Sequence, residues 1–245
     1  MGSVELAPSG QASRCDWSQP EAAWQKISPP LQPKPDIMGY VTCDYSEKLV
    51  QIWIIVAIVV GCLLLFKMCR NYGMTNVTAS NGKTYYVKDM EGKQQAAELL
   101  AALEKRVDVF LQYCKNNEYG NDKRIQNIIH RWNGTLSETR YTDFGEAAYT
   151  LHKKDISICL RNGAGHVENA DNAFFVLLHE LTHVASDCID HPKEFWVNNR
   201  WILHVAEQSP AYTYQNFEQS PTTYCNHPLQ INPSTCLKKG SCSLE

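Results

Sequence analysis

The sequence predicts an α+β domain preceded by one transmembrane helix. Three observations carry this. An uncharged apolar run occupies Leu49–Phe66. Apolar residues recur at three- and four-residue steps in several later stretches, as on one face of a helix. Between those stretches, short runs rich in β-branched and aromatic residues alternate as strands do.

Composition fits a folded domain with appendages. The chain has 245 residues, with 44% hydrophobic and 20% charged residues, enough apolar content for a core. Net charge is −3 and the sequence pI about 6.2. Phosphate neutralisation supplies most non-specific nucleic-acid affinity, so this balance gives no reason to expect a nucleic-acid partner. Ten cysteines are present, and no pair has Cys-x-x-Cys spacing. Cys225, Cys236 and Cys242 crowd the C-terminal stretch, where pairing is expected if the domain faces an oxidising compartment.

Residues 1–48 read as a disordered tail. Ser28-Pro29-Pro30-Leu31-Gln32-Pro33-Lys34-Pro35 forms neither helix nor central strand, and apolar residues are sparse. Leu49–Phe66 holds no charge, and at 1.5 Å per residue it reaches about 27 Å, close to the hydrocarbon thickness. It lies behind a long polar leader, unlike a cleaved signal peptide. A single-pass membrane location follows. Lys67, Arg70 and Lys83 outweigh Lys34 and Lys48, which by the positive-inside rule puts the following domain on the cytosolic side. Two glycosylation sequons, Asn76-Val77-Thr78 and Asn133-Gly134-Thr135, stand beyond the span.

Residues 67–82 have linker composition, and the domain is expected over 83–245. Lys83–Val87 reads as a strand. Lys93–Asn116 is strongly helical, with Leu99, Leu100, Leu103, Val107, Phe110 and Cys114 on one stripe. A short helix follows over Asp122–Trp132. Ala147–His152 and Ile156–Leu160 alternate as a hairpin turning at Lys153-Lys154-Asp155. Asp171 is the expected N-cap of the next helix, and Pro192 opens another that reaches about Ala206. From Glu207 on, an irregular tail is expected.

The chemistry concentrates in His179-Glu180-Leu181-Thr182-His183. Residues four apart on a helix share a face, so His179 and His183 can bind one Zn²⁺ at about 2.0–2.1 Å each. Glu180, turned by about 100°, flanks the metal as a general base towards water. A catalytic zinc also needs a third protein ligand and an open position. His191 is the expected third ligand, with Glu194, Glu207, Asp187 and His204 as competitors. Phe195 and Trp196 would steady it. Tyr212, Tyr214, Tyr224 and His204 are candidates for stabilising a transition state.

These motifs resemble those of the WLM and SprT-like minimal zinc peptidases. The likeness is greatest to membrane-anchored WLM-related metallopeptidases of large DNA viruses and some algae. It rests on Cys159-Leu160-Arg161, His179–Ser186, His191–Trp196 and Tyr224-Cys225, and covers residues 83–233. Asn226 stands where that family usually has glycine. The resemblance implies a small zincin-like metallopeptidase domain, with His179, His183 and His191 as zinc ligands and Glu180 as base. The motifs carry over no particular substrate; a peptidase reading expects a protein or peptide, and in such folds an edge strand can bind it in extended form, for which Ile156–Leu160 is the candidate. Two other readings stay open: a non-catalytic interaction module with structural zinc, and metal-dependent hydrolysis of a non-peptide bond.

Overall fold

The computed structural model describes residues 38–70, 72–141, 143, 145–162 and 164–244. Most of the expected N-terminal tail lies outside these residues. Its final part does not follow the expectation of disorder: helix α1 spans Met38–Arg70. Pro35 is the last proline before the apolar run, so none interrupts the helix after Met38. Ser46–Cys69 has a mean hydropathy of 2.9. It is the one helix among the described residues long and apolar enough to cross a membrane. Its large side chains, including Trp53, Leu64 and Phe66, are exposed on every side. A helix without a polar stripe has no face suited to water.

The following domain is built on a five-stranded mixed sheet. Its first strand, β1 (Met74–Thr78), falls inside the stretch expected to be linker. It pairs antiparallel with β2 (Thr84–Lys88), placing Asn76 opposite Tyr86, and Gly82 takes φ 79° in the connection. The strand is legible only through its partner, because its own residues are half-buried at best. Next comes β3 (Leu136–Glu138), too short to show a period of two. It lies parallel to β2 and to β5 (Asp155–Ile158), while β4 (Ala148–Leu151) pairs antiparallel with β5. The order is β1-β2-β3-β5-β4. This corrects the expected edge strand. β3 occupies the far side of β5, so Ile156–Ile158 is interior and β4 is the free edge. The parallel return from β2 to β3 needs a long crossover, and the intervening helices supply it.

Helix α2 spans Lys93–Asn116, as the periodicity predicts, and buries Leu100, Leu103, Val107 and Phe110 against the sheet. After a 3₁₀ turn over Glu118–Asn121 comes α3 (Lys123–Arg131), capped by the Asp122 carboxylate accepting from Arg124 N. Helix α4 (Ala170–Ala185) also packs on the sheet. Its N-cap is Asn169 rather than the expected Asp171. The Asn169 side chain accepts from Asp171 N and Asn172 N, satisfying two otherwise unpaired donors. Asp171 instead pairs with Arg106 at 2.9 Å. Helix α5 (Lys193–Gln208), with Pro192 at its N-cap, lies against α4, as does α3.

The C-terminal stretch is more regular than expected. A hairpin joins β6 (Thr222–Tyr224) to β7 (His227–Leu229), and a short helix α6 covers Thr235–Lys238. Cys225 and Asn226 form the hairpin turn at φ 48° and 67°. Two successive left-handed residues match a primed turn, and asparagine tolerates that conformation without being glycine. Tyr224 is fully buried, and its hydroxyl donates to Cys159 O.

Two disulfides close this region, Cys159–Cys225 and Cys236–Cys242. The tail cysteines therefore pair, but Cys225 reaches back to the end of β5. Beside it, buried Arg161 donates to Glu138 Oε2 (3.1 Å), Glu91 O (2.9 Å) and Lys88 O (3.2 Å), tying together the ends of three strands. Cys159–Cys225 spans 66 positions, which on a chain-entropy estimate stabilises the domain by roughly 4 kcal/mol. Replacing both cysteines with alanine is expected to lower the unfolding free energy by about that amount in urea titrations. A loss below about 1 kcal/mol would mean that packing of Tyr224 alone holds the segment.

Candidate metal centre

The site starts from one amphipathic feature of α4. Phe174, Leu177, Leu178, Leu181 and Val184 are fully buried and fix the rotation of the helix. That rotation turns His179 and His183 towards a cleft, and Glu180, 4% exposed, towards β4. The third histidine needs a chain reversal. Helix α4 ends at Ala185, Ser186 is extended, and Asp190 adopts φ 59° immediately before His191. An aspartate tolerates that left-handed turn better than most residues.

The three imidazoles converge. His191 Nε2 lies 3.0 Å from His179 Nε2 and 3.2 Å from His183 Nε2. Three nitrogens on one tetrahedral zinc at about 2.0–2.1 Å would stand about 3.3 Å apart. Donor type and spacing therefore both fit a zinc ion. Phe195 is the common floor, with its ring centroid 4.9, 4.4 and 4.6 Å from those of His179, His183 and His191. Trp196 stacks on His191 at 5.6 Å. Burial, then the neighbouring imidazoles, push His179 down to about 3; burial and His191 push His183 down to about 4. Both rings are consequently neutral at physiological pH, the form in which imidazole binds metal.

Glu180 has its own environment. Burial pushes its carboxyl up to about 7; the Thr150 hydroxyl, donating to Oε2 at 2.7 Å, opposes this, and the charge of Glu146 adds to it. A carboxylate titrating near neutrality suits proton transfer in both directions. The cleft above it measures about 550 Å³. Edge strand β4 and its turn wall one side, and Cys188, Ile189 and Asp190 the other.

None of the competing candidates joins the cluster. Glu207 accepts from Ser234 Oγ and pairs with Lys238 (2.8 Å), and Asp187 pairs with Lys123 (2.7 Å) and Arg131. His204 bonds Gln208, and Glu194 is exposed in the first turn of α5. Among the described residues, His179, His183 and His191 form the one cluster with metal-ligand spacing. The aromatic candidates for transition-state stabilisation stay outside the cleft. Tyr212 meets Asn232, Tyr214 meets Thr235 and Tyr224 meets Cys159 O.

Three contributors escaped the sequence reading. Thr150 and Glu146 act on Glu180 from β4 and the loop before it, which no local pattern signals. The third is Lys153, expected only as a turn residue. The turn is centred on His152 and Lys153, at φ 52° and 57°, with Lys154 N donating to Leu151 O. Lys153 Nζ donates to His183 O (3.0 Å), Ser186 O and Cys188 O (3.0 Å). It thereby links the hairpin, the C-terminus of α4 and the loop bearing His191. Arg131 adds bonds to Val184 O (3.0 Å) and Ser186 O (3.2 Å), and Asn127 to Ala185 O (2.7 Å).

Fold and site together define an α+β domain with a three-histidine cluster beside a buried glutamate. No family model matches the chain, and no solved structure matches it. The chain is 25% identical over 183 residues to an uncharacterized protein of Acanthamoeba polyphaga mimivirus, covering 72% of this chain and 92% of that relative. It therefore has a viral relative whose length it largely spans.

Two outcomes are expected. Lys153→Met should cost about 2 kcal/mol of stability in urea titrations, since three carbonyls lose a charged donor. Unchanged stability would mean that the loop holds itself. In metal-free protein, Glu180→Gln should be the more stable form at alkaline pH. The folded carboxyl binds its proton up to about pH 7, above its ordinary 4.5, so wild-type stability falls relative to glutamine as pH rises between those values. The difference should approach about 3 kcal/mol at pH 8 and vanish below pH 4.5, as read by urea titration.

Proposed function

We propose that this chain is a membrane-anchored zinc metallopeptidase of zincin-like architecture. One observation carries the reading: three imidazole Nε2 atoms converge within zinc-ligand spacing beside a buried, near-neutral carboxylate. The motif resemblance to WLM and SprT-like peptidases supports it, and the apolar helix Ser46–Cys69 supplies the anchor. His179, His183 and His191 would hold the metal. Zinc bound there supplies Lewis-acid activation of water and of the scissile carbonyl.

The chain's own residues then have separable tasks. Glu180 accepts a proton from the attacking water and returns it to the leaving amine. Thr150 orients the Glu180 carboxylate through its 2.7 Å hydrogen bond. A substrate in extended conformation adds to the free edge of β4, where backbone pairing holds it beside the three histidines. The exposed Ile189 at the opposite wall offers apolar surface to its side chains.

The test uses the full chain in detergent micelles. Bound zinc is measured by elemental analysis, and cleavage is measured on an unfolded protein substrate. Glu180→Gln should keep its zinc while losing cleavage by about 10²–10⁴-fold. His191→Ala should lose zinc and activity together. Equal cleavage by wild type and Glu180→Gln would overturn the assignment. Full zinc occupancy without cleavage of any peptide would favour the structural-zinc or non-peptide alternative.

A further inference from the structure

The two sequons and the disulfides lie outside the cleft and have no part in its chemistry. We propose that the domain is built for the translocated, oxidising side of its membrane, and that Asn133 carries an N-linked glycan there. The inference takes Ser46–Cys69 as a membrane span. It does not depend on the peptidase reading.

Disulfides supply the first argument. Cys159 and Cys225 are both buried and close a loop of 66 positions. Cys236–Cys242 clips the C-terminal segment. Within the domain only Cys114, which is buried, and Cys188, which is half-buried, remain as thiols. A cytosolic thiol pool would keep all of these reduced. Each bond forms as two thiols give up two protons and two electrons, which a protein disulfide oxidant of the secretory compartment takes up.

Asn133 supplies the second argument, independently. It is exposed just after α3, and so is Thr135. Its Oδ1 accepts from Thr135 N at 3.0 Å, and among the described residues its Nδ2 has no partner. Lys83 Nζ holds the carbonyl of Gly134 at 2.9 Å, so the turn is fixed while the exposed side chain keeps its amide nitrogen unbonded. That nitrogen forms a bond to C1 of the first sugar of a lipid-pyrophosphate-linked oligosaccharide. The C1–O bond breaks, the lipid pyrophosphate leaves, and the amide proton passes to the transferase's base. Asn133 is absent from the cleft wall, so the glycan leaves the site open. Asn76 is also exposed, but it sits close behind Cys69, where the membrane surface crowds a transferase. Asn133 is therefore the acceptor. The opposing charge bias is a single cation, Lys67, Arg70 and Lys83 against Lys34 and Lys48.

The full chain is synthesised in a cell-free system with N-glycosylating microsomes. The expected product migrates more slowly and reverts on endoglycosidase treatment. Asn133→Gln and Thr135→Ala should each abolish the shift, and Asn76→Gln should keep it. The domain should resist added protease until detergent opens the vesicles. Alkylation after unfolding without reductant should leave Cys159, Cys225, Cys236 and Cys242 unmodified. Digestion without detergent, or alkylation of all four, would overturn the orientation. A protected domain with no glycosidase-sensitive shift, or a shift lost only in Asn76→Gln, would overturn the Asn133 assignment.

Discussion

The C-terminus of α4 is the constraint on which the rest of the domain depends. A helix leaves its last carbonyls without intrahelical partners, and these must be satisfied where the chain turns. Here the turn must also bring His191 back over His179 and His183. Val184, Ala185 and Ser186 are buried at this end, so water has little access to their carbonyls. Side chains cap the end instead: Lys153 from the hairpin, and Arg131 and Asn127 from α3. Cationic groups also complement the negative end of the helix dipole. A structural requirement of helix termination thus fixes the loop that completes the histidine cluster.

The same packing sets the electrostatics. Burying α4 along Phe174, Leu178 and Leu181 leaves Glu180 beneath β4, in a position where its charge is poorly solvated. Thr150 holds the carboxylate, and Asn199 bonds the Thr182 hydroxyl from α5, locking the helix between sheet and helix. Phe195 under all three rings limits their rotation. Burial of imidazoles lowers their basicity, and burial of the carboxyl raises its own. One environment therefore produces neutral imidazoles and a carboxyl that titrates near neutrality.

His179, Glu180 and His183 were legible because they sit within one turn of a single helix, where helical geometry alone relates them. Helix α2 was legible for the same reason, since its apolar stripe runs for 24 residues. Strand β3 was not, because three residues cannot display a period. Edge and interior could not be told apart for β4 and β5, whose residues alternate alike. Only the parallel insertion of β3 separates them. Asn169 displaced Asp171 as cap because Arg106, from distant α2, draws the aspartate away.

The sequence by itself determined what depends on near neighbours: an apolar helix in α1, the amphipathic helices, and a His-Glu-x-x-His pair one turn apart. Tertiary structure decided what depends on groups far apart in the chain. Among the candidates it joined His191, and not Glu207 or Asp187, to the pair. It also buried Glu180 against Thr150, turned Lys153 into a clamp, and paired Cys159 with Cys225. The physical reason is that donor spacing, burial and carbonyl capping are properties of packed surfaces, which local periodicity does not encode.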